Sequence, residues 1–134
     1  MVKLIERYQA IGERYKNLEY QLYNFHEAVN SLLSRTKIPS LSISRGQSDD
    51  EIHLRFLGKK YVIRPELDIN DKDNVTGLFA SYEIDPLRTD GHLKLKQQVE
   101  VDKSGNARPK GHTDGYPWSF DNDGLDILFT LLMP

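Results

Sequence analysis

Residues 1–37, MVKLIERYQAIGERYKNLEYQLYNFHEAVNSLLSRTK, contain no proline and one glycine. Within them Leu4, Tyr8, Ile11, Tyr15, Leu18, Leu22, Phe25, Val29 and Leu32 recur at alternating steps of four and three, the seam of a heptad helix. Arg7, Arg14 and Gln21 flank one side of the seam and Glu19 and His26 the other, while Glu6, Glu13, Lys16, Asn17 and Glu27 take the outer face. The helix ends before Pro39, which lacks the N–H of the next turn and pushes Ile38 into extended geometry.

The length of this helix bears on the assembly. About 35 residues rising ~1.5 Å each make a rod of roughly 50 Å, whereas a sheet of about five strands is only about 24 Å wide. The overhang carries the same apolar stripe as the rest. Either the rod breaks near Gly12, where a mid-helix glycine costs about 1 kcal/mol relative to alanine, or the overhang packs on a second copy of the chain. A strict seven-residue repeat drifts about 20° per heptad on a straight helix unless it winds around a partner. The spacing therefore predicts a homodimer with Leu4, Tyr8, Ile11, Tyr15, Leu18 and Leu22 at its interface. Tyr8, Tyr15, Tyr20 and Tyr23 read as packing residues rather than a ligand cage.

After Pro39 the period changes to two. Leu41 and Ile43 alternate with Ser40, Ser42 and Ser44, and Ile52, Leu54 and Phe56 alternate with Glu51, His53 and Arg55. Gly58-Lys59 reads as a tight hairpin leading into residues 60–64, and connections this short require antiparallel strands. Residues 69–77 read as a polar loop. Leu78 to Ile84 is apolar on both faces and predicts a central strand. From His92 to Asp102, Leu93, Leu95, Val99 and Val101 fall on one face, interrupted by Gln97. Asp102 to Asn106 is a turn, and residues 107–115 have almost nothing to bury. The C-terminal stretch with Leu125, Ile127, Leu128, Phe129, Leu131, Leu132 and Met133 predicts a short buried helix from about Asp123 to Leu132, a strand being the alternative. Asp121, Asn122 and Asp123 cap it and meet the positive end of its dipole.

The expected fold is therefore α+β in a single domain: a long amphipathic helix over 1–37, antiparallel strands over 40–102, a loop over 103–120 and an apolar helix over 121–134. At 134 residues and 15.5 kDa, such a domain can bury roughly two thirds of its unfolded surface.

Composition excludes several function classes. With no cysteine there is no thiol nucleophile, iron–sulfur cluster or thiolate zinc site. Charges inside Met1–Arg7 interrupt any signal-peptide core, and no run approaches a membrane span, so the chain reads as soluble and cytoplasmic. The net charge of −2 hides segregation: +2 over 1–37, −3 over 38–87, +3 over 88–112 and −4 over 113–134. Arg88, Lys94, Lys96, Lys103, Arg108 and Lys110 form the basic cluster, too thin for a nucleic-acid footprint, though an acidic partner would suit it.

No phosphate loop, dinucleotide fingerprint, hydrolase elbow or paired helical histidines occur, and no cofactor is implied. Residues 108–120 are the best candidate region. There Arg108 and Lys110 would hold an anion beside His112, while Tyr116 and Trp118 stack on a planar group. His112 with Asp114 is the weaker option, a hydrolase or lyase pair. Asp121, Asp123 and Asp126 fail the calcium-loop frame, whose closing glutamate would be Thr130. His26 and His53 read as surface or boundary histidines. The leading expectation is a non-enzymatic homodimeric interaction module, with a small-ligand domain bordered by the 108–120 loop as the alternative.

Overall fold

Helix α1 (Val2–Arg35) runs unbroken through Gly12, so the glycine does not split the rod into a hairpin. Its 34 residues span roughly 51 Å at ~1.5 Å per residue. The computed structural model describes residues 2–45, 50–69, 74–87, 92–111 and 117–133. Seven strands follow α1: β1 (Leu41–Arg45), β2 (Ile52–Phe56), β3 (Lys59–Ile69), β4 (Val75–Ile84), β5 (Leu93–Val101), β6 (Asn106–Pro109) and β7 (Trp118–Ser119). Helix α2 (Phe120–Leu132) completes the chain.

The architecture is α+β, with an antiparallel meander in strict sequence order. It has seven strands rather than five. The two extra strands hold four and two residues, and their core contribution reduces to Ala107, fully buried, and half-buried Trp118. So short a stretch leaves no period to read.

The expected polar loop over 69–77 is shorter than its composition implies. β3 runs to Ile69 and β4 starts at Val75, and ten register pairs from Lys60↔Ile84 to Ile69↔Val75 hold them together. Pro65 sits within β3 because β2 ends at the Ile52↔Ile63 pair. Beyond that point β3 has no β2 neighbour, and an open strand side tolerates a residue without an N–H.

Strand β5 departs from simple alternation. Tyr82 pairs with Leu95 but Ser81 pairs with Gln97, so Lys96 is an extra residue in a bulge. Side-chain parity flips there: Leu93 and Leu95 share a face with Ile84 and Tyr82, while Val99 and Val101 join Phe79 on the other. The four residues therefore do not line one face. Val99 and Val101 are buried, whereas Leu95 is 48% exposed. Gln97, at the break in the pattern, marks the bulge.

The β2–β3 turn is Leu57-Gly58, one residue earlier than expected, between the paired Phe56 and Lys59. Leu57 (φ 53°) and Gly58 (φ 80°) both have positive φ, as a two-residue type I′ hairpin requires. Leucine is poorly suited to that geometry, and its side chain is mostly solvent-exposed. Leu57→Asn should raise stability by about 1 kcal/mol in urea unfolding; an unchanged or lowered midpoint would refute this reading of the turn.

Helix α2 starts at Phe120, three residues before the expected Asp123. Ser119 is its cap, its Oγ accepting the N–H of Asn122 at 3.2 Å, while Asp123 Oδ2 accepts the Ser119 N–H at 3.0 Å. Asp123 departs from helical geometry, so α2 carries a kink at the residue where the helix was expected to start. The core lies between the sheet and both helices. Phe25 of α1, Phe79 of β4 and Phe120 of α2 meet there with centroid separations of 5.5 to 5.8 Å.

Candidate functional site

The heptad seam of α1 is continuous in sequence but divided in space. Leu18, Leu22, Phe25 and Val29 are fully buried in the chain's own core. Ile11 and Tyr15 are half-buried, while Leu4, Ile5 and Tyr8 are 51, 60 and 66% exposed. Leu18 and Leu22, expected at a subunit interface, are thus consumed internally. The surface that remains is Leu4, Tyr8 and Ile11, with Ile5 beside them.

The boundary between the two halves is a polar clasp. Arg14, buried to about nine tenths, donates through Nη1 to Gln21 Oε1 at 3.1 Å and through Nη2 to the Val101 carbonyl at 2.6 Å. Gln21 Nε2 in turn donates to the Asp102 carbonyl at 2.8 Å. The two side chains are one heptad repeat apart, so a single face of α1 reaches the end of β5 twice. Gly77 lies beneath Arg14, where any Cβ would enter the space of the guanidinium. Burial lowers the Arg14 pKa and the Asp102 carboxylate opposes that shift. Burial likewise pushes the Tyr15 phenol up, with Glu19, Asp50 and Glu66 adding to it and Arg64 opposing. On the N-terminal side of this clasp, residues 3–10 of α1 are exposed all round, a projection of roughly 12 Å.

Of the 108–120 candidates, Arg108, Lys110 and Trp118 fall within the described residues, and Trp118 lies on the other side of the sheet from the two cations. Trp118 pairs with Ala107, whose side chain is in the core, and packs against the core cluster. Arg108, the next residue along β6, pairs with Glu100 and lies on the opposite face. Lys110 Nζ donates to Gln98 Oε1 at 3.0 Å on that outer face. His112, Asp114 and Tyr116 lie outside the described residues. The sheet therefore separates Trp118 from the two cations meant to share its pocket.

A cleft of about 640 Å³ lies elsewhere, between α1, the β5–β6 turn and the start of α2. Asn17, Gln21, Asn24, Asn106 and Ser119 give it an amide- and hydroxyl-rich lining. A second cleft, about 280 Å³, adjoins the clasp and is lined by Arg7, Ala10, Ile11, Arg14, Asn74, Val75 and Lys103.

Sequence reasoning missed a polar network on the outer sheet face. Glu51 Oε2 is 3.0 Å from His53 Nε2, Glu51 Oε1 is 3.7 Å from Arg64, and Arg64 lies over the Tyr82 ring at 5.9 Å. Tyr82 donates its hydroxyl hydrogen to Glu66; burial first, and that hydrogen bond second, push its pKa up to about 12. Ser44 is directly across from His53 in the β1–β2 register. The His53 side chain is 43% exposed, which fits its expected surface position. His26 is different: it is buried, with Nε2 3.2 Å from Asn30 Nδ2, because α1 turns that flank against the rest of the chain. The signal for the outer-face network was the hairpin register, which a turn misplaced by one residue scrambles.

Searches of protein-family models, curated proteins and solved structures find no match to this chain. Function must be argued from its own geometry. Among the described residues no group of three or more His, Asp or Glu could hold a metal ion, and no helix is long and apolar enough to cross a membrane.

Proposed function

We propose that this chain is a non-enzymatic, homodimeric interaction module whose subunits join through the projecting end of α1. The observation that carries this reading is the exposure of Leu4 and Tyr8 on a seam whose continuation, Leu18 to Val29, is fully buried. A helix end that needed only to meet water would have no reason to keep the core pattern. Exposed large apolar side chains in register mark an interaction surface.

A second copy is the occupant that best fits the chemistry of that stripe. Residues 3–13 carry Lys3 and Arg7 against Glu6 and Glu13, so two copies meet without net repulsion. The same stripe on both subunits is self-complementary about a two-fold axis, the commonest symmetry of soluble oligomers. Gly12 supports close approach: a Cβ there would meet nothing within 4 Å of its own chain, so no contact inside the subunit requires glycine. A ligand pocket bordered by the 108–120 loop has less support, since Trp118 and the Arg108/Lys110 pair lie on opposite faces of the sheet.

Tyr8→Asp places a charge at the centre of the stripe while leaving the core intact. It should weaken self-association by roughly thirtyfold or more, the loss of one central anchor, with the thermal unfolding of the isolated subunit unchanged. Sedimentation equilibrium showing equal association for wild type and variant would refute the assignment of the surface.

A further inference from the structure

The outer face of the sheet places two cations side by side. Arg55 of β2 is the register partner of Lys60 of β3, so their side chains stand next to each other on one face. Like charges directly opposite weaken a strand pair. Both residues are exposed, and among the described residues neither side chain takes part in an ion pair or a hydrogen bond. The acids around them are engaged elsewhere. Glu51 faces His53 and Arg64, at 3.0 and 3.7 Å, and Glu83 faces Lys59 and Lys96, at 3.8 and 3.7 Å. Asp85 Oδ1 accepts the Leu87 N–H at 2.9 Å. Their fields reach the pair, but none of these carboxylates forms an ion pair with Arg55 or Lys60.

Arg55 and Lys60 line a cleft of about 340 Å³ together with Ser42, Ser44, His53 and Ile84. Strand register explains why these side chains meet. Ser42 is across from Arg55 and Ile84 is across from Lys60, so one row crosses four strands, and Ser44 is across from His53 in the next row. Among the described residues that line the cleft none is acidic. The Ser42 and Ser44 hydroxyls, each able to donate one hydrogen bond, make none among the described residues. A guanidinium, an ammonium and two hydroxyls are therefore held on one surface by paired strands rather than by a loop.

We propose that this cleft binds the phosphoryl group of a phosphate monoester, with Arg55 and Lys60 as its cations and the Ser42 and Ser44 hydroxyls as further donors. Charge selects the group. A carboxylate carries one charge on two oxygens, whereas a phosphate monoester carries nearly two at neutral pH over three oxygens, and two cations match it. Donor geometry agrees: a guanidinium fork takes two phosphoryl oxygens in parallel bonds, and an ammonium, a point charge with rotatable donors, takes the third. An anion between Arg55 and Lys60 also offsets the repulsion that the bare pair carries. His53 borders the site, its ring held by the hydrogen bond to Glu51. No residue of the exposed α1 stripe takes part, so this site and self-association fail or stand separately.

The test uses the full chain, with phenyl phosphate, phenyl sulfate and a phosphoserine peptide as probes in isothermal titration. Phenyl phosphate should bind saturably, more tightly than phenyl sulfate, which has the same shape and one charge, and less tightly as salt is added. Arg55→Gln should weaken phenyl phosphate by roughly tenfold, the loss of one charge-assisted contact, without lowering the thermal midpoint. Lys60→Glu turns the like-charged pair into an opposite one, so it should abolish binding and raise the midpoint by about 2 °C. A peptide that binds more tightly than phenyl phosphate assigns the phosphoryl group to a protein partner, and the reverse order assigns it to a small ester; both support the site. Absence of saturable phenyl phosphate binding to wild type would overturn the proposal, as would wild-type affinity in Lys60→Glu. Phenyl sulfate binding as tightly as phenyl phosphate would overturn the choice of phosphoryl chemistry.

Discussion

Phe25→Ala should remove about 3 to 5 kcal/mol of folding stability, the range for deleting a fully buried aromatic side chain. Phe25 has no exposed surface and its ring contacts both Phe79 and Phe120, at 5.5 Å in each case. These contacts join α1, β4 and α2, so the vacated space lies where three elements meet and none can move in without leaving its other contacts. A domain of this size has roughly 5 to 15 kcal/mol in total. The variant should therefore unfold roughly 10 to 20 °C lower, while Phe25→Leu, which keeps most of the volume, should lose less than half as much. A Phe25→Ala midpoint within a few degrees of wild type would show that the three-ring contact is not the centre of the core.

Gly77→Ala should be nearly as damaging, for the opposite reason. A Cβ at Gly77 would collide with Arg14 Nη2 and lie 3.0 Å from the Val101 carbonyl oxygen. The carbonyl is backbone in a paired strand and cannot retreat. Arg14 could swing away, but only by breaking its bonds to Val101 and Gln21 inside a buried site. A cost of about 2 to 4 kcal/mol follows from overpacking together with the lost hydrogen bonds. The mechanism is separable by a double-mutant cycle. In an Arg14→Leu background the clasp is already gone, and Gly77→Ala should then cost less than about half its wild-type penalty. Additive losses in urea unfolding would rule out Arg14 as the residue that requires glycine at 77.

The long helix was legible because nine seam positions repeat without interruption and Pro39 closes the run. Its overhang was legible from length alone, and residues 3–10 are indeed exposed. How much of the seam the chain would bury itself was not, because Leu18 and Leu22 look the same in sequence whether they face a sheet or a second helix. The bulge at Lys96 hid the true faces of β5, since a one-residue insertion inverts every side chain beyond it. β6 and β7 escaped notice because their pairing is carried by backbone and a single buried alanine. The clasp was hidden for a related reason: Arg14 and Gln21 read as seam flanks, and only the approach of β5 shows that they face backbone carbonyls. The 108–120 candidates illustrate the converse. Arg108 and Trp118 are close in the fold, on adjacent strands, yet the alternation of side chains sends them to opposite faces.

The central claim is that the exposed end of α1 is covered by a second copy of the chain. Light scattering on the purified protein at micromolar concentration tests it most directly. The expected mass is twice the 15.5 kDa of a single chain, falling toward one chain on dilution; a constant 15.5 kDa across that range would contradict it.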